Sequence, residues 1–387
     1  MPTIRLPLAD GTLAPYTLRA ATPWPVPATP PRFDRVAFSA AHVVADPLAR
    51  ADPWLEAALD WDATLAYRRY LLSLGLGVAE AMDTAQRGMG LDWATSFKLI
   101  DRSVAAARDI PGALVFSGAG TDHLDPADAR TVDDVIAAYE HQCEAIERVG
   151  GRIILMASRA LARVARTADD YARVYARILA QLKQPVILHW LGDMFDPALA
   201  GYWGHRDLDR ATEVCLDVVA ANAPKVDGIK VSLLDGSREI AMRRRLPAGV
   251  RMYTGDDFNF AELIGGDAHG HSDALLGIFD AIAPAASAAL AALAAGDRAR
   301  FDAILEPTVP LSRRIFEAPT RFYKTGVVFM AYLNGHQSHF TMVGGQQGAR
   351  SLVHLADVFR LADAAGVLVD PDRAAARMRV LTALHGL

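Results

Sequence analysis

Cysteine is scarce in this chain of 387 residues: Cys143 and Cys215 are the only two. Both fall in stretches of helical periodicity, so they read as buried free thiols of a reducing compartment rather than as a disulfide. Basic excess is missing as well. The formal net charge is -5, and the one basic run, Arg243-Arg244-Arg245, reads as a solvated helix end. No nucleic-acid partner is therefore expected. No apolar run reaches the length of a membrane span, so no membrane partner is expected either. Met1-Pro2-Thr3-Ile4-Arg5 lacks the apolar segment of a signal peptide, and a cytoplasmic location follows as the expectation. The glycine-rich phosphate loop of an open nucleotide-binding sheet is absent too. Ser39-Ala40-Ala41-His42 follows the first apolar strand, and the pairs Gly265-Gly266 and Gly344-Gly345 stand isolated.

What is present is core material. Hydrophobic residues make up 52% of the chain and charged residues 22%, enough for one large α/β domain with additions. Weak alternation around Asp10-Gly11 predicts a small hairpin within residues 1–20, and Pro23, Pro25, Pro27, Pro30 and Pro31 predict an extended linker over 21–31. From Arg35 onward short apolar strands alternate with amphipathic helices. Strands are expected at 36–39, 77–82, 112–117, 152–157, 185–191, 228–233, 250–254 and 265–271. Helices are expected at 62–74, 92–109, 131–149, 167–182 and 207–222, with Asp92 and Thr131 as N-caps. Eight βα repeats with continuously apolar strands imply a parallel sheet closed into a (β/α)8 TIM barrel over 33–284. A short N-terminal extension, 1–32, precedes it. A C-terminal helical region, 285–387, follows, with a last helix starting at Asp370-Pro371. That region is long enough to cap one side of the barrel or to build a homo-oligomer contact.

The stretch Asp227-Gly228-Ile229-Lys230-Val231-Ser232 carries the chemistry. It is a short apolar strand with a lysine in its middle. Burying an unpaired ammonium is costly, so such a lysine tends to lose its proton. A neutral amine is a nucleophile that forms Schiff bases with carbonyl substrates. A lysine reaching to solvent from a strand end is the alternative. In a barrel the active site lies at the C-terminal strand ends. Those ends offer His42, Asp83, Thr84 and Arg87, then Ser117 and His123, then His189 and Asp193, then Lys230, then Thr254 and Asp256, and in the predicted eighth strand Asp267, His269 and His271.

The order of these strand ends resembles the dihydrodipicolinate synthase and N-acetylneuraminate lyase superfamily of class I aldolase barrels, in a divergent bacterial branch. Gln184-Pro185-Val186-Ile187-Leu188-His189 is similar to that family's fifth strand, and Gly228-Ile229-Lys230 to its sixth, where the Schiff-base lysine sits. Thr254-Gly255-Asp256-Asp257 and Gly265-Gly266 add support, and the resemblance covers about residues 33 to 333. It implies a lyase, an aldolase or a dehydratase, acting on a keto acid or oxidised sugar derivative. Lys230 would be the nucleophile, and no cofactor beyond the covalent imine is needed. Two departures stand out. His189 replaces a tyrosine that relays protons, a role imidazole can also fill. Asp83-Thr84-Ala85-Gln86-Arg87 replaces a threonine-rich loop that binds the substrate carboxylate, so Arg87 is a candidate contact in its place.

Lys230 and His189 are thus the expected catalytic pair. Thr84, Asp83, Arg87, Ser117, Thr254, Asp256, His269 and His271 are the expected substrate contacts. No metal ligand is assigned. Two other readings stay open. One is a divalent-metal-dependent barrel aldolase or isomerase built on His42, His123, His189, His269 and His271 with Asp83, Asp193 and Asp267, since a His-x-His pair on a strand points both rings to one face. The other is a barrel that binds a ligand without catalysis. The tail segment Asn334-Gly335-His336-Gln337-Ser338-His339-Phe340 is a further polar cluster, placed either over the barrel mouth or on the surface.

Overall fold

The computed structural model describes residues 1–19, 24 and 27–387. Strands β1 (Thr3–Pro7) and β2 (Leu13–Thr17) form an antiparallel hairpin around Asp10-Gly11. The linker expected over 21–31 lies in part outside the described residues.

Eight parallel strands then close a barrel: β3 (Ala37–Ala40), β4 (Gly77–Glu80), β5 (Val115–Ala119), β6 (Arg152–Leu155), β7 (Val186–Leu191), β8 (Val226–Ser232), β9 (Arg251–Thr254) and β10 (Asp273–Leu276), with β10 pairing back onto β3. Alternation along each strand sorts the side chains. Phe38, Ala79, Phe116, Ile154, Ile187, Tyr253 and Leu275 pack into one cluster inside the barrel. Their neighbours Ala37, Val78, Ile153, Leu188, Ile229 and Ala274 belong to the layer under the helices. Gly228 faces inward, where a Cβ would collide with the Tyr253 ring, so glycine there lets the tyrosine fill the interior.

The helices α1 (Trp61–Ser73), α2 (Trp93–Ala107), α3 (Val132–Arg148), α4 (Arg159–Val164), α5 (Ala168–Gln181), α6 (Leu208–Ala221), α7 (Gly236–Arg243) and α8 (Phe260–Gly265) connect the strands. Their starts follow from local chemistry. Asp60, Asp92 and Asp207 each accept a backbone N–H of the first turn, and Thr131 forms a reciprocal box with Asp134. Each such cap contributes about 1 kcal/mol. Under α1 and α2, the Arg68 guanidinium meets Glu80 of β4 twice, at 2.8 and 2.9 Å, and Ser103 donates to the same carboxylate. Removing one partner of a buried pair of this kind costs about 3–5 kcal/mol.

The eighth strand lies later than the sequence predicts. Residues 266–272 form a turn, with Asp267 N–H bonded to the Gly270 carbonyl, that leads into β10 from its N-terminal end. The strand itself is the short segment Asp273–Leu276, whose apolar residues are Ala274, Leu275 and Leu276.

After β10 come α9 (Ile278–Ala281), α10 (Ala283–Ala294), α11 (Arg298–Leu305), α12 (Val309–Ile315), α13 (Tyr323–Asn334), α14 (Leu352–Ala364) and α15 (Pro371–Leu384). Part of this tail lies over the C-terminal strand ends. Ser312 donates to the Asp257 carbonyl, Tyr323 shares a hydrogen bond with Thr84, and Gln86 donates to the Val343 carbonyl. The hairpin packs on the same tail, with Tyr16 donating to Asp363 and Arg360 to the Pro7 carbonyl. His336 of the polar tail segment packs edge-on against Tyr67 and tilted against Tyr70 of α1, and Phe340 stacks on Tyr332. Among the described residues no helix is long and apolar enough to cross a membrane.

Candidate active site

Strands β7 and β8 place His189 and Lys230 side by side, as direct partners in the parallel register, and Lys230 in turn lies opposite Tyr253. Ile187 and Tyr253 point into the barrel, so the alternation turns His189 and Lys230 the same way. Ser232, the next inward residue of β8, shares a hydrogen bond with His189 Nε2 at 3.2 Å. A Cβ at Gly255 would collide with Ser232 Oγ and Lys230 Cε, so glycine at the end of β9 gives the lysine room.

The electrostatics of this trio follow from burial. His189 is 1% exposed, and desolvation, with the Lys230 charge beside it, holds its imidazole well below its ordinary value. Its Nδ1 is buried without a partner among the described residues. Burial likewise pushes the Lys230 amine down, while the carboxylates of Asp257 and Asp83 pull it back up. Asp257 is the counterpart. Burial raises its carboxyl, against hydrogen bonds from the Ile278 and Gly277 N–H groups and the charge of Lys230. Lys230 and Asp257 therefore lean together toward their uncharged forms.

A cavity of about 380 Å³ opens over the second to fifth barrel strands, a volume suited to a small molecule. His189, Leu191, Met156, Arg159, Asp196 and Asp83 are among its walls. Lys230 is not among the wall residues; it lies beside His189, its neighbour in register. The tail packs on the ends of the seventh and eighth strands and on the loop after the second. The loop that carries Asp83 and Thr84 turns sharply: Ala81 (φ 52) and Gln86 (φ 64) both adopt left-handed conformations without being glycine. Such residues cost on the order of 1 kcal/mol each and persist where the surroundings over-determine them. Here the tail does so, through Tyr323 on Thr84 and Val343 on Gln86.

The expected substrate contacts divide. Asp83 and Arg87 line the cavity, and Thr84 is buried beside Tyr323. Arg87, however, has its donors engaged: Nε and Nη2 hold Asp122 at 2.9 and 2.6 Å, Nη2 also meets Gln142, and Nη1 meets the Gly118 and Ala81 carbonyls. Burial alone would raise the Asp122 carboxyl, but this guanidinium overrides it and holds it at about 2. Arg87 is thus a clamp between two loops, not a free carboxylate receptor. Ser117 and Thr254 are corrected outright. Each is next to an inward residue, Phe116 or Tyr253, and so turns outward to the helix layer. Thr254 Oγ1 accepts from the Asp256 N–H there, and Ser117 Oγ has no partner among the described residues. The Asp256 carboxylate ties its own turn, accepting from Phe258 N, Asn259 N and Asn259 Nδ2.

His269 and His271 are exposed at the N-terminal end of β10, the opposite end of the barrel from Lys230. Asp267 beside them pairs with Arg243 and Arg244. The other histidines are dispersed. His42 bonds Asp280 through Nδ1 at 2.9 Å, and His123 lies tilted against His141. Among the described residues no three His, Cys, Asp or Glu side chains gather as a metal site would need.

Sequence reasoning placed Ser232 and Asp257 at the strand ends without giving them a role, and did not name Tyr323 or Lys324. Asp257 and Ser232 stood in quoted motifs, and alternation from Lys230 selects Ser232. Tyr323 and Lys324 carry no local signal, because only the folded tail brings them to the mouth. Lys324 is a second buried lysine. Burial pushes its amine down to about 8, against the pull of Asp83 and Asp196. It donates to the Arg321 carbonyl at 3.0 Å and lies over the Tyr323 ring.

The chain belongs to the family described as "Protein of unknown function (DUF993)", whose model matches residues 4–387. No curated protein matches it. Among solved structures it is similar to dihydrodipicolinate synthase from Aquifex aeolicus, at 12% identity and a TM-score of 0.63, over 86% of this chain and 99% of that one. The chloride-inhibited dihydrodipicolinate synthase from Acinetobacter baumannii, in complex with pyruvate, matches at 17% identity and a TM-score of 0.61, over 86% and 99%. The 4-hydroxy-tetrahydrodipicolinate synthase from Methylacidiphilum fumariolicum SolV matches at 13% and 0.63, over 90% and 99%. The barrel is thus that of the dihydrodipicolinate synthase structures.

Proposed function

We propose that this chain is a Schiff-base-forming lyase of the class I aldolase type. Its substrate is a keto acid or oxidised sugar derivative, Lys230 is the nucleophile and His189 the proton shuttle. The observation that carries the reading is the register pairing of a buried lysine with a buried histidine at the C-terminal mouth of the barrel, the histidine facing a cavity. The pyruvate complex of the Acinetobacter baumannii structure agrees with a keto-acid substrate.

The chemistry requires an uncharged amine. An ordinary lysine supplies roughly one neutral molecule in a few thousand at pH 7. Burial raises that fraction here, against the opposing pull of the Asp257 and Asp83 carboxylates. Lys230 attacks the substrate carbonyl carbon, giving a carbinolamine. Loss of water then needs a proton delivered to the leaving hydroxyl, and the His189–Ser232 pair is placed to move it. The resulting iminium withdraws electrons, so an adjacent C–C bond breaks or a β-hydroxyl leaves.

Borohydride reduction in the presence of a panel of keto acids and ketoses tests the reading. Wild-type protein is expected to gain the mass of a reduced adduct with at least one compound, and Lys230→Ala to gain none. An equal adduct on the Lys230→Ala protein, or no adduct with any compound, counts against it.

A further inference from the structure

We propose that Asp83 is the catalytic acid–base group that exchanges a proton with the substrate carbon next to the imine, a role that rests on the Schiff-base reading above. Four carboxylates line the cavity: Asp83, Asp92, Asp122 and Asp196. Three are committed to the fold. Asp92 caps α2 through the Thr95 N–H, Asp122 is held by Arg87, and Asp196 accepts from Arg159. The Asp83 side chain accepts no hydrogen bond from any described residue, yet it is half-buried on the cavity wall.

Its backbone is fixed where its carboxylate is not. Ala81 and Gln86, both left-handed, bracket its turn, and the tail grips the two sides through Thr84–Tyr323 and Gln86–Val343. An aimed loop that ends in an unengaged carboxylate is poor packing but good preparation for proton transfer. Asp83 also lies within electrostatic reach of Lys230, on the same wall system as His189. Lys324 and the Tyr323 phenol are the other titratable groups facing it. A substrate carboxylate at this position would meet Asp83 charge to charge, so the loop suits carbon chemistry better than carboxylate binding.

The step balances without a further reactant. A C–H bond on the carbon next to the iminium breaks, and its electron pair forms the C=C bond of the enamine. The C=N pair withdraws onto the Lys230 nitrogen, and the proton passes to the Asp83 carboxylate. Reprotonation reverses it. His189 keeps the separate task of moving protons while the imine forms.

Two readouts on the same proteins separate this proposal from the reading beneath it, with pyruvate and hydroxyacetone as probes. Borohydride trapping reports the imine; deuterium uptake into the methyl group from D2O reports the carbon proton step. Asp83→Asn is expected still to trap, its acid limb moved to lower pH by the lost charge, while uptake falls by about 10²–10⁴. Should Asp83→Asn lose its fold, judged by melting, Asp83→Ala carries the test, with formate restoring part of its uptake. Undiminished uptake in a variant that still traps overturns the role of Asp83 alone. Absence of trapping in wild type with both probes overturns the imine and this role together.

Discussion

Asp257→Asn is expected to make Lys230 reactive at lower pH. Burial pushes the amine down, and the Asp257 carboxylate is the first of two groups that pull it back up. Removing that negative charge lowers the amine further, so the acid limb of imine formation moves to lower pH. A shift of one unit corresponds to about 1.4 kcal/mol. The rate of borohydride trapping against pH measures it, and a shift upward would refute the coupling. A second residue gives a stability test remote from the cavity. Glu239 is buried on the inner face of α7, accepts from Ser272 at 2.7 Å, and is pushed by burial from 4.5 up to about 8. The folded chain keeps a proton there that the unfolded chain releases, so stability is fully present below 4.5 and is lost as pH rises toward 8. Glu239→Gln keeps the accepting oxygen and removes the titration. Thermal melts are expected to show wild type losing more Tm than the variant on going from about pH 5 to about pH 8. At this scale the burial of Lys230 and His189 was legible, because a titratable side chain inside an apolar strand is conspicuous. Ser117 and Thr254 were misjudged because a strand-end position does not reveal which way a hydroxyl turns. Only the register with Phe116 and Tyr253 does.

The elements were read well where apolar runs and caps coincide. The helices over 92–109 and 131–149 begin at Asp92 and Thr131 as predicted, since a carboxylate or hydroxyl before an amphipathic run answers the unpaired N–H groups of the first turn. The eighth strand failed for the opposite reason. The strand is only four residues long and opens on Asp273, and the polar turn before it offered a richer chemical pattern. The consequence is measurable. His269 and His271 sit at the far end of the barrel, so His269→Ala and His271→Ala are expected to leave trapping and its pH profile unchanged. A tenfold loss in either would mean that the N-terminal end takes part in the chemistry.

At the scale of the molecule, the tail changes what the barrel is. From the sequence it was a cap or an oligomer contact. In the structure α12 lies over the end of the seventh strand and α13 reaches the ends of the eighth and second, while the cavity opens over the second to fifth. Nothing in residues 285–387 announces this, because the contacts join chain segments more than two hundred residues apart, as between Thr84 and Tyr323. The tail also brings Lys324, so the mouth holds two buried lysines whose amines are both pushed down. The geometry distinguishes them. Lys230 stands in register with His189 inside the barrel, whereas Lys324 donates to the Arg321 carbonyl and rests on the Tyr323 ring. Peptide mapping of the borohydride-reduced protein tests the central claim most directly. The account predicts the adduct on the peptide containing Lys230 and an unmodified Lys324; an adduct on Lys324, with Lys230 untouched, would contradict it.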